Sequence, residues 1–179
     1  MSFGPVEARG SRLVGLGYTQ PEHVMTNDDI AQLVETSDER ITQRTGIRER
    51  RIAQENDSVL SMASGAARMA LADTGRTHVD LVVVASTTTT HRSPNTAGTI
   101  VEALGLDGAG ALDVNSACSG FEYAMGVADQ AIRVGSADSA LVIGAEALSR
   151  FTDWTDRSTC VLTADGAGAV VLEASPEPR

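Results

Sequence analysis

The sequence predicts an α/β layered fold, a mostly parallel central sheet flanked by helices. Three observations carry this. Residues 79–85 (Val-Asp-Leu-Val-Val-Val-Ala) and 139–145 (Ser-Ala-Leu-Val-Ile-Gly-Ala) are apolar runs of strand length, as expected of strands covered on both faces. Around them lie segments whose apolar residues recur every three or four positions, so strands alternate with helices. The chain has 179 residues, 42% hydrophobic and only 3% aromatic, which suits one domain with a core of Ala, Val, Leu and Ile.

Taken in order, residues 1–10 read as a flexible N-terminal arm, 11–175 as the domain, and 176–179, with Pro176 and Pro178, as the start of a linker. Residues 11–17 form a strand and 18–22 a turn. A helix begins near Thr26, with Asn27 as its cap and Ile30, Leu33 and Val34 on one face. Thr36-Ser-Asp-Glu caps a second helix that ends at Gly46. The helix over 58–73 is rich in Ala and Met and stops at Gly75; the polar loop 86–95 leads to a helix over 96–104 closed by Gly105. A strand over 111–114 precedes a helix marked by Phe121, Ala124, Met125, Ala128 and Ile132. Residues 151–158 are loop, 159–162 strand, and 165–172 the last strand. The glycines at 166 and 168 only superficially resemble a dinucleotide motif, since no helix follows.

Composition narrows the chemistry. Formal net charge is −10, which argues against nucleic-acid binding, and no apolar run is long enough to span a membrane. Two distant cysteines fit a reducing cytoplasm. All 14 cationic side chains are arginine, so Schiff-base chemistry and a Walker A lysine are excluded. His23, His78, His91, Cys118 and Cys160 lack metal-ligand spacing; the histidines read as surface or turn residues, Cys160 as core, and Glu146 and Asp165 as structural hydrogen-bond acceptors. Four arginines among residues 44–51 form the one dense basic cluster, either a solvated face or a dock for phosphate or an acidic partner. Cys118, in Ser116-Ala-Cys-Ser-Gly120 between strand and helix, is the candidate nucleophile: a helix N-terminus favours thiolate, and small neighbours leave room for a carbonyl and its oxyanion. The alternative is a small buried hydrophobe.

Several motifs in this order resemble the type III β-ketoacyl-acyl-carrier-protein synthases of the thiolase-like superfamily. They are Thr36-Ser-Asp-Glu with Arg44-Thr-Gly-Ile-Arg-Glu-Arg50; Asp80-Leu-Val-Val-Val-Ala-Ser86; Thr90-His91 with Pro94; Asp113-Val-Asn-Ser-Ala-Cys-Ser-Gly-Phe121; and Thr155-Asp-Arg-Ser-Thr159 with Asp165-Gly-Ala-Gly-Ala169. The resemblance implies the N-terminal half of a thiolase-like fold and no bound cofactor. It implies that Cys118 is acylated by an acyl-CoA primer, then condensed with a malonyl group on the phosphopantetheine of acyl carrier protein. It places Thr36, Arg44 and Arg157 on the nucleotide end of CoA and Ser93 beside the acyl pocket. There the smaller side chain, where some relatives have phenylalanine, suggests longer or branched primers. Arg40 stands where many members stack a tryptophan on the adenine. Family members are close to twice this length, and their catalytic histidine and asparagine lie in the second half. The resemblance thus also implies carrier-protein and homodimer partners, with room for a second chain carrying that half. Two other readings remain: a thiolase-fold acyltransferase of secondary metabolism with a non-malonyl acceptor, and a non-catalytic dimerisation module.

Overall fold

The computed structural model describes residues 9–177. Five strands, β1 (Gly10–Thr19), β4 (Leu81–Ala85), β5 (Gly110–Val114), β6 (Ser139–Ala147) and β7 (Asp165–Ser175), make one sheet in the order β1-β7-β6-β4-β5. β4 pairs parallel with β5 and β6, while β7 lies antiparallel between β6 and β1. Four strands therefore run one way and β7 opposes them, so the mostly parallel direction holds but two of the four pairings are antiparallel. The cause lies between β6 and β7: that connection contains only short 3₁₀ turns and no crossover helix, and a chain returning from the same end of the sheet must pair antiparallel.

Alternate residues of β4 serve two cores. Val82 and Val84 pack with α3 (Val59–Thr74) and α4 (Thr96–Leu104); Val83 and Ala85 pack with α5 (Gly120–Arg133). Both faces being covered explains the unbroken apolar run. The helix signals act where expected. Ser58 accepts from Ser61 N–H to start α3, Asn95 accepts from Gly98 N–H to start α4, and Gly75 and Gly105 end them in the left-handed conformation.

A third, smaller core of Ile30, Ile41 and Cys160 belongs to a satellite unit. It contains α1 (Asn27–Leu33), α2 (Asp38–Thr45) and a two-stranded ribbon of β2 (Val24–Thr26) and β3 (Glu49–Arg51). Thr26, one residue earlier than expected, caps α1 in a reciprocal box with Asp29, while Asn27 turns inward: its amide donates to Asp38 and to Ile47 O, each at 2.8 Å. Three sequence expectations are corrected. Tyr18 and Thr19 continue β1 rather than turning. Residues 160–162 form a 3₁₀ turn, not a strand, although Cys160 is buried as expected. Arg9 and Gly10 are not part of an arm: Gly10 is in β1, and Arg9 donates to Ile132 O (2.5 Å), Ala137 O (2.6 Å) and Asp138 (2.6 Å). The rest of the expected arm, residues 1–8, and residues 178–179 of the linker lie outside the described residues.

Candidate active site

Cys118 lies just beyond the carboxyl end of β5, in a 3₁₀ turn (Ala117–Ser119) that runs into α5. The turn is tight. Ala117 holds φ at +47°, a left-handed value costing roughly 1–2 kcal/mol for a residue with a Cβ. Ser119 closes it by donating from N–H and Oγ to Ser116 O, at 3.2 and 2.9 Å. The carboxyl end of the strand is fixed by Asp113, whose two carboxylate oxygens accept from Thr96 and Ala97 N–H at 2.8 Å, so β5 is tied to the start of α4. The result presents Cys118 to solvent instead of burying it. No side chain caps α5, which leaves its first-turn N–H groups without a capping acceptor beside the thiol.

The thiol opens on a cavity of about 410 Å³ built from strand ends. Ala85 and Thr87 come from the end of β4 and the residues after it, Gly144 to Glu146 and Leu148 from the end of β6, and Gly166 to Gly168 from the start of antiparallel β7. Phe121 supplies a wall, and it fits because Gly144 lacks a side chain: a Cβ there would meet the ring at 3.1 Å. This crevice, outside the carboxyl ends of parallel strands, is where open α/β sheets place their ligands.

Glu146 is the one charged group among the lining residues. Its carboxylate accepts from Thr87 N–H (2.8 Å), Thr87 Oγ1 (3.1 Å) and Thr88 Oγ1 (2.5 Å), and no cation pairs with it among the described residues. Asp165, also read as a structural acceptor, takes Ala53 N–H (2.6 Å), Ser149 N–H (2.9 Å) and Ser149 Oγ (2.5 Å). Both act as acceptors, as the sequence suggested.

A second, separate cavity of about 340 Å³ brings together Thr36, Arg44 and Arg157, the three residues expected at the nucleotide end of CoA, and adds Arg40. Arg40 and Arg44 stand one turn apart on α2, Ile41, Val161 and Leu162 make an apolar floor, and among the described residues no acidic side chain lines it. Arg157 sits in a turn held by Asp156, which accepts from Ser158 Oγ, Thr159 Oγ1 and Ser158 N–H. Those bonds hold the Asp156 carboxyl below the usual carboxylate range.

The basic cluster does not survive as one surface. Strand alternation in β3 sends Arg50 inward, where it is only 4% exposed and donates to Met25 O, Asn27 Oδ1 and Val161 O. Burial pulls its pKa down, with Cys160 and Asp29 opposing. Arg51 donates to Glu22 O, so of the four only Arg44 reaches the cavity just described. Ser93, expected beside the acyl pocket, stands apart from Cys118 within the single chain. It is exposed in the loop after β4 and does not line the Cys118 cavity; its neighbours His91 and Pro94 line a different, largely apolar one with Ser58, Val59 and Leu60. All three histidines are exposed and none lines the Cys118 cavity. Sequence reasoning missed Thr87, Leu148 and the 166–168 segment as lining, and their only signal is position at strand ends.

Residues 112–179 match the family model described as 3-oxoacyl-[acyl-carrier-protein (ACP)] synthase III. Beta-ketoacyl-[acyl-carrier-protein] synthase III 4 of Streptomyces coelicolor is 52% identical over 168 residues, 93% of this chain and 53% of that protein. The crystal structure of 3-oxoacyl-[acyl-carrier-protein] synthase III from Aquifex aeolicus superposes with a TM-score of 0.90 at 47% identity, covering 94% of this chain and 55% of that one. The priming β-ketosynthase of the R1128 polyketide pathway gives 0.94 at 35% identity, covering 99% and 54%.

In sequence and fold the chain is similar to the β-ketoacyl-acyl-carrier-protein synthases III. It corresponds to the N-terminal part of those synthases and spans about half the length of the relatives it matches. The match with the synthase structures covers the mixed sheet, α5 and the Cys118 turn at its start.

Proposed function

We propose that Cys118 is the acyl-accepting nucleophile of a type III ketosynthase and that this chain carries the acylation half of the reaction. The observation behind it is the exposed thiol on a left-handed turn, open to a cavity of acyl-chain dimensions at the ends of β4, β5 and β6. The thiolate sulfur attacks the carbonyl carbon of an acyl thioester, and N–H groups at the start of α5 meet the oxyanion. As the intermediate collapses, the carbon–sulfur bond to the carrier breaks. The carrier sulfur leaves with the electron pair and takes a proton. The arginine-lined cavity suits the phosphates of a CoA donor, since guanidinium groups bind phosphate oxygens in pairs.

The second step, condensation with malonyl-acyl carrier protein, needs a base and an oxyanion donor for the decarboxylating malonyl group. No histidine of this chain lines the cavity, so in this reading the histidine and asparagine come from the half that longer relatives possess, acting in a homodimeric enzyme. Intact-mass measurement after incubation with butyryl-CoA should show one butyryl adduct, mapped by peptide analysis to Cys118 and absent in Cys118→Ser. An adduct elsewhere, or none, sinks the assignment. A soluble cytoplasmic setting fits; no described helix is long and apolar enough to cross a membrane.

A further inference from the structure

A ketosynthase of this kind handles two thioesters at one cysteine: the acyl donor and a malonyl acceptor that ends in a free carboxylate. Either could in principle acylate Cys118. Something must keep the acceptor from taking the donor's place, and the thiol chemistry alone does not distinguish them. The lining of the Cys118 cavity does.

Eleven of its twelve lining residues carry no charge, and the twelfth is Glu146. The carboxylate is held in place. Thr87 donates to it from N–H and hydroxyl, Thr88 from its hydroxyl, and Ser86 Oγ lies at 3.5 Å. Thr88 is buried, and its Oγ1 in turn accepts from Ala147 N–H at 2.8 Å, so the donor set is locked to the end of β6. All of these donors are neutral. They orient the negative charge without cancelling it, and among the described residues no arginine lines the cavity.

We propose that Glu146 fixes the charge class of the acyl group that Cys118 accepts: neutral acyl chains enter the cavity, and chains ending in a carboxylate are turned away. This rests on Cys118 being the acyl acceptor. The device is repulsive. Specificity between two otherwise acceptable thioesters is obtained by a like charge set against the wrong one. It also biases the order of loading, because a malonyl group acylates the free nucleophile more slowly than a neutral acyl group does. The effect is bounded by the cavity's size. A volume of ~410 Å³ is about 9 Å across, and two unit charges that far apart, at an effective dielectric between about 20 and 80, differ from a neutral pair by roughly 2- to 20-fold in rate.

The test uses alkylation, so it does not depend on acyl transfer. Iodoacetamide and iodoacetate both consume the thiolate and differ chiefly in charge. Their rate ratio at Cys118, followed by peptide mass spectrometry, therefore cancels any change in thiolate fraction. Glu146→Gln should raise the iodoacetate-to-iodoacetamide ratio by roughly 2- to 20-fold. Glu146→Asp, which keeps the charge, should stay near the wild-type ratio, an outcome that a merely structural role would not produce. Malonyl N-acetylcysteamine thioester should acylate Glu146→Gln, relative to the butyryl thioester, by a similar factor more than wild type. An unchanged alkylation ratio in Glu146→Gln overturns the proposal, and so does failure of both reagents to label Cys118. If no thioester acylates Cys118 but the ratio still shifts, the acyltransferase reading fails and takes the acyl filter with it, while the charge bias of Glu146 on reagents at Cys118 is established.

Discussion

Replacing Gly17 by alanine tests the packing that holds the cavity wall in place. β1 lies directly on α3: a Cβ at Gly17 would sit 2.1 Å from Ala66 O, 2.4 Å from Ala70 N and 2.9 Å from Met69 Cβ. Two of these are helix backbone atoms of residues with no exposure, so no side-chain rotation relieves the overlap. Ordinary contact between heavy atoms is about 3.5 Å, so strand and helix must separate by about 1 Å, which forfeits much of the dispersion along the seam. Overpacking by one methylene costs about 1–3 kcal/mol, and a clash with backbone on both sides belongs at about 3. Against a total stability of about 5–15 kcal/mol and a urea slope of about 2 kcal/mol per molar, the midpoint should fall by about 1.5 M with the slope unchanged. Gly168→Ala is the control, since a Cβ there meets nothing within 4 Å, and its midpoint should stay within experimental error of wild type. Because Gly168 lines the Cys118 cavity and pairs with Tyr18 of β1, the two variants should part company in a second assay. Gly168→Ala should change the alkylation rate of Cys118 without changing stability. If Gly17→Ala unfolds at the wild-type urea concentration, the close approach of β1 to α3 is wrong.

Three further outcomes follow from the same geometry. Arg157→Ala should slow acylation of Cys118 from acyl-CoA by roughly 10- to 100-fold, the value of a lost charge-assisted bond, and leave acyl N-acetylcysteamine donors nearly unaffected. Equal losses with both donors would remove the nucleotide end of CoA from that cavity. Burial, then Asp156, pushes the Cys160 thiol above its ordinary value, with Arg50 opposing. The unfolded chain thus releases this proton near pH 9 before the folded one does, and stability falls as pH rises past about 9. In Cys160→Ala urea midpoints that decline should be shallower, and native Cys160 should resist iodoacetamide while Cys118 reacts. Burial pushes Asp80 up, but Asp138 N–H, Ser139 Oγ and N–H, and His78 outweigh it and hold the carboxyl below 3.8. Its contribution is present above about pH 3.8 and lost as pH falls through the lower folded value. Asp80→Asn should therefore be less stable than wild type by about 1 kcal/mol near pH 7, discounted for its partial exposure, with the gap closing in acid.

Much of the fold could be read from the sequence because its signals are local. α4 ends where Gly105 said it would, and α2 runs from a Ser37 cap to Gly46. β2 and β3 could not be read: three residues are too few to show a period, and what holds them is a core of Ile30, Ile41 and Cys160 drawn from distant parts of the chain. The run at 159–162 reads as a strand and folds instead as a 3₁₀ turn, because four residues are likewise too few to show a period. Cys118 was legible because strand, small residues and helix follow one another in sequence. Thr87 and Gly168 became its neighbours only through the sheet order that sets β4, β6 and β7 side by side. The arginine cluster misled because adjacency in sequence says nothing about side-chain direction within a strand.

The two cavities are linked by one excursion of the chain. Leaving β6, it contributes Leu148 to the Cys118 cavity, then Arg157, Ser158, Val161 and Leu162 to the arginine cavity, and returns as Gly166 in the first cavity's wall. The two ends of this excursion are fastened to each other by Asp165, which is 5% exposed and accepts from the N–H and hydroxyl of Ser149. The same carboxylate accepts Ala53 N–H, two residues beyond β3, and so ties the satellite unit that carries Arg44 to the sheet that carries Cys118. A buried carboxylate with three donors is stable where a partly satisfied one would not be. A donor whose phosphates rest on Arg44 and Arg157 and whose thioester must reach Cys118 needs a fixed distance between the cavities. Asp165 joins three segments that bear on that distance: the exit from β6, the start of β7 and the chain just beyond β3.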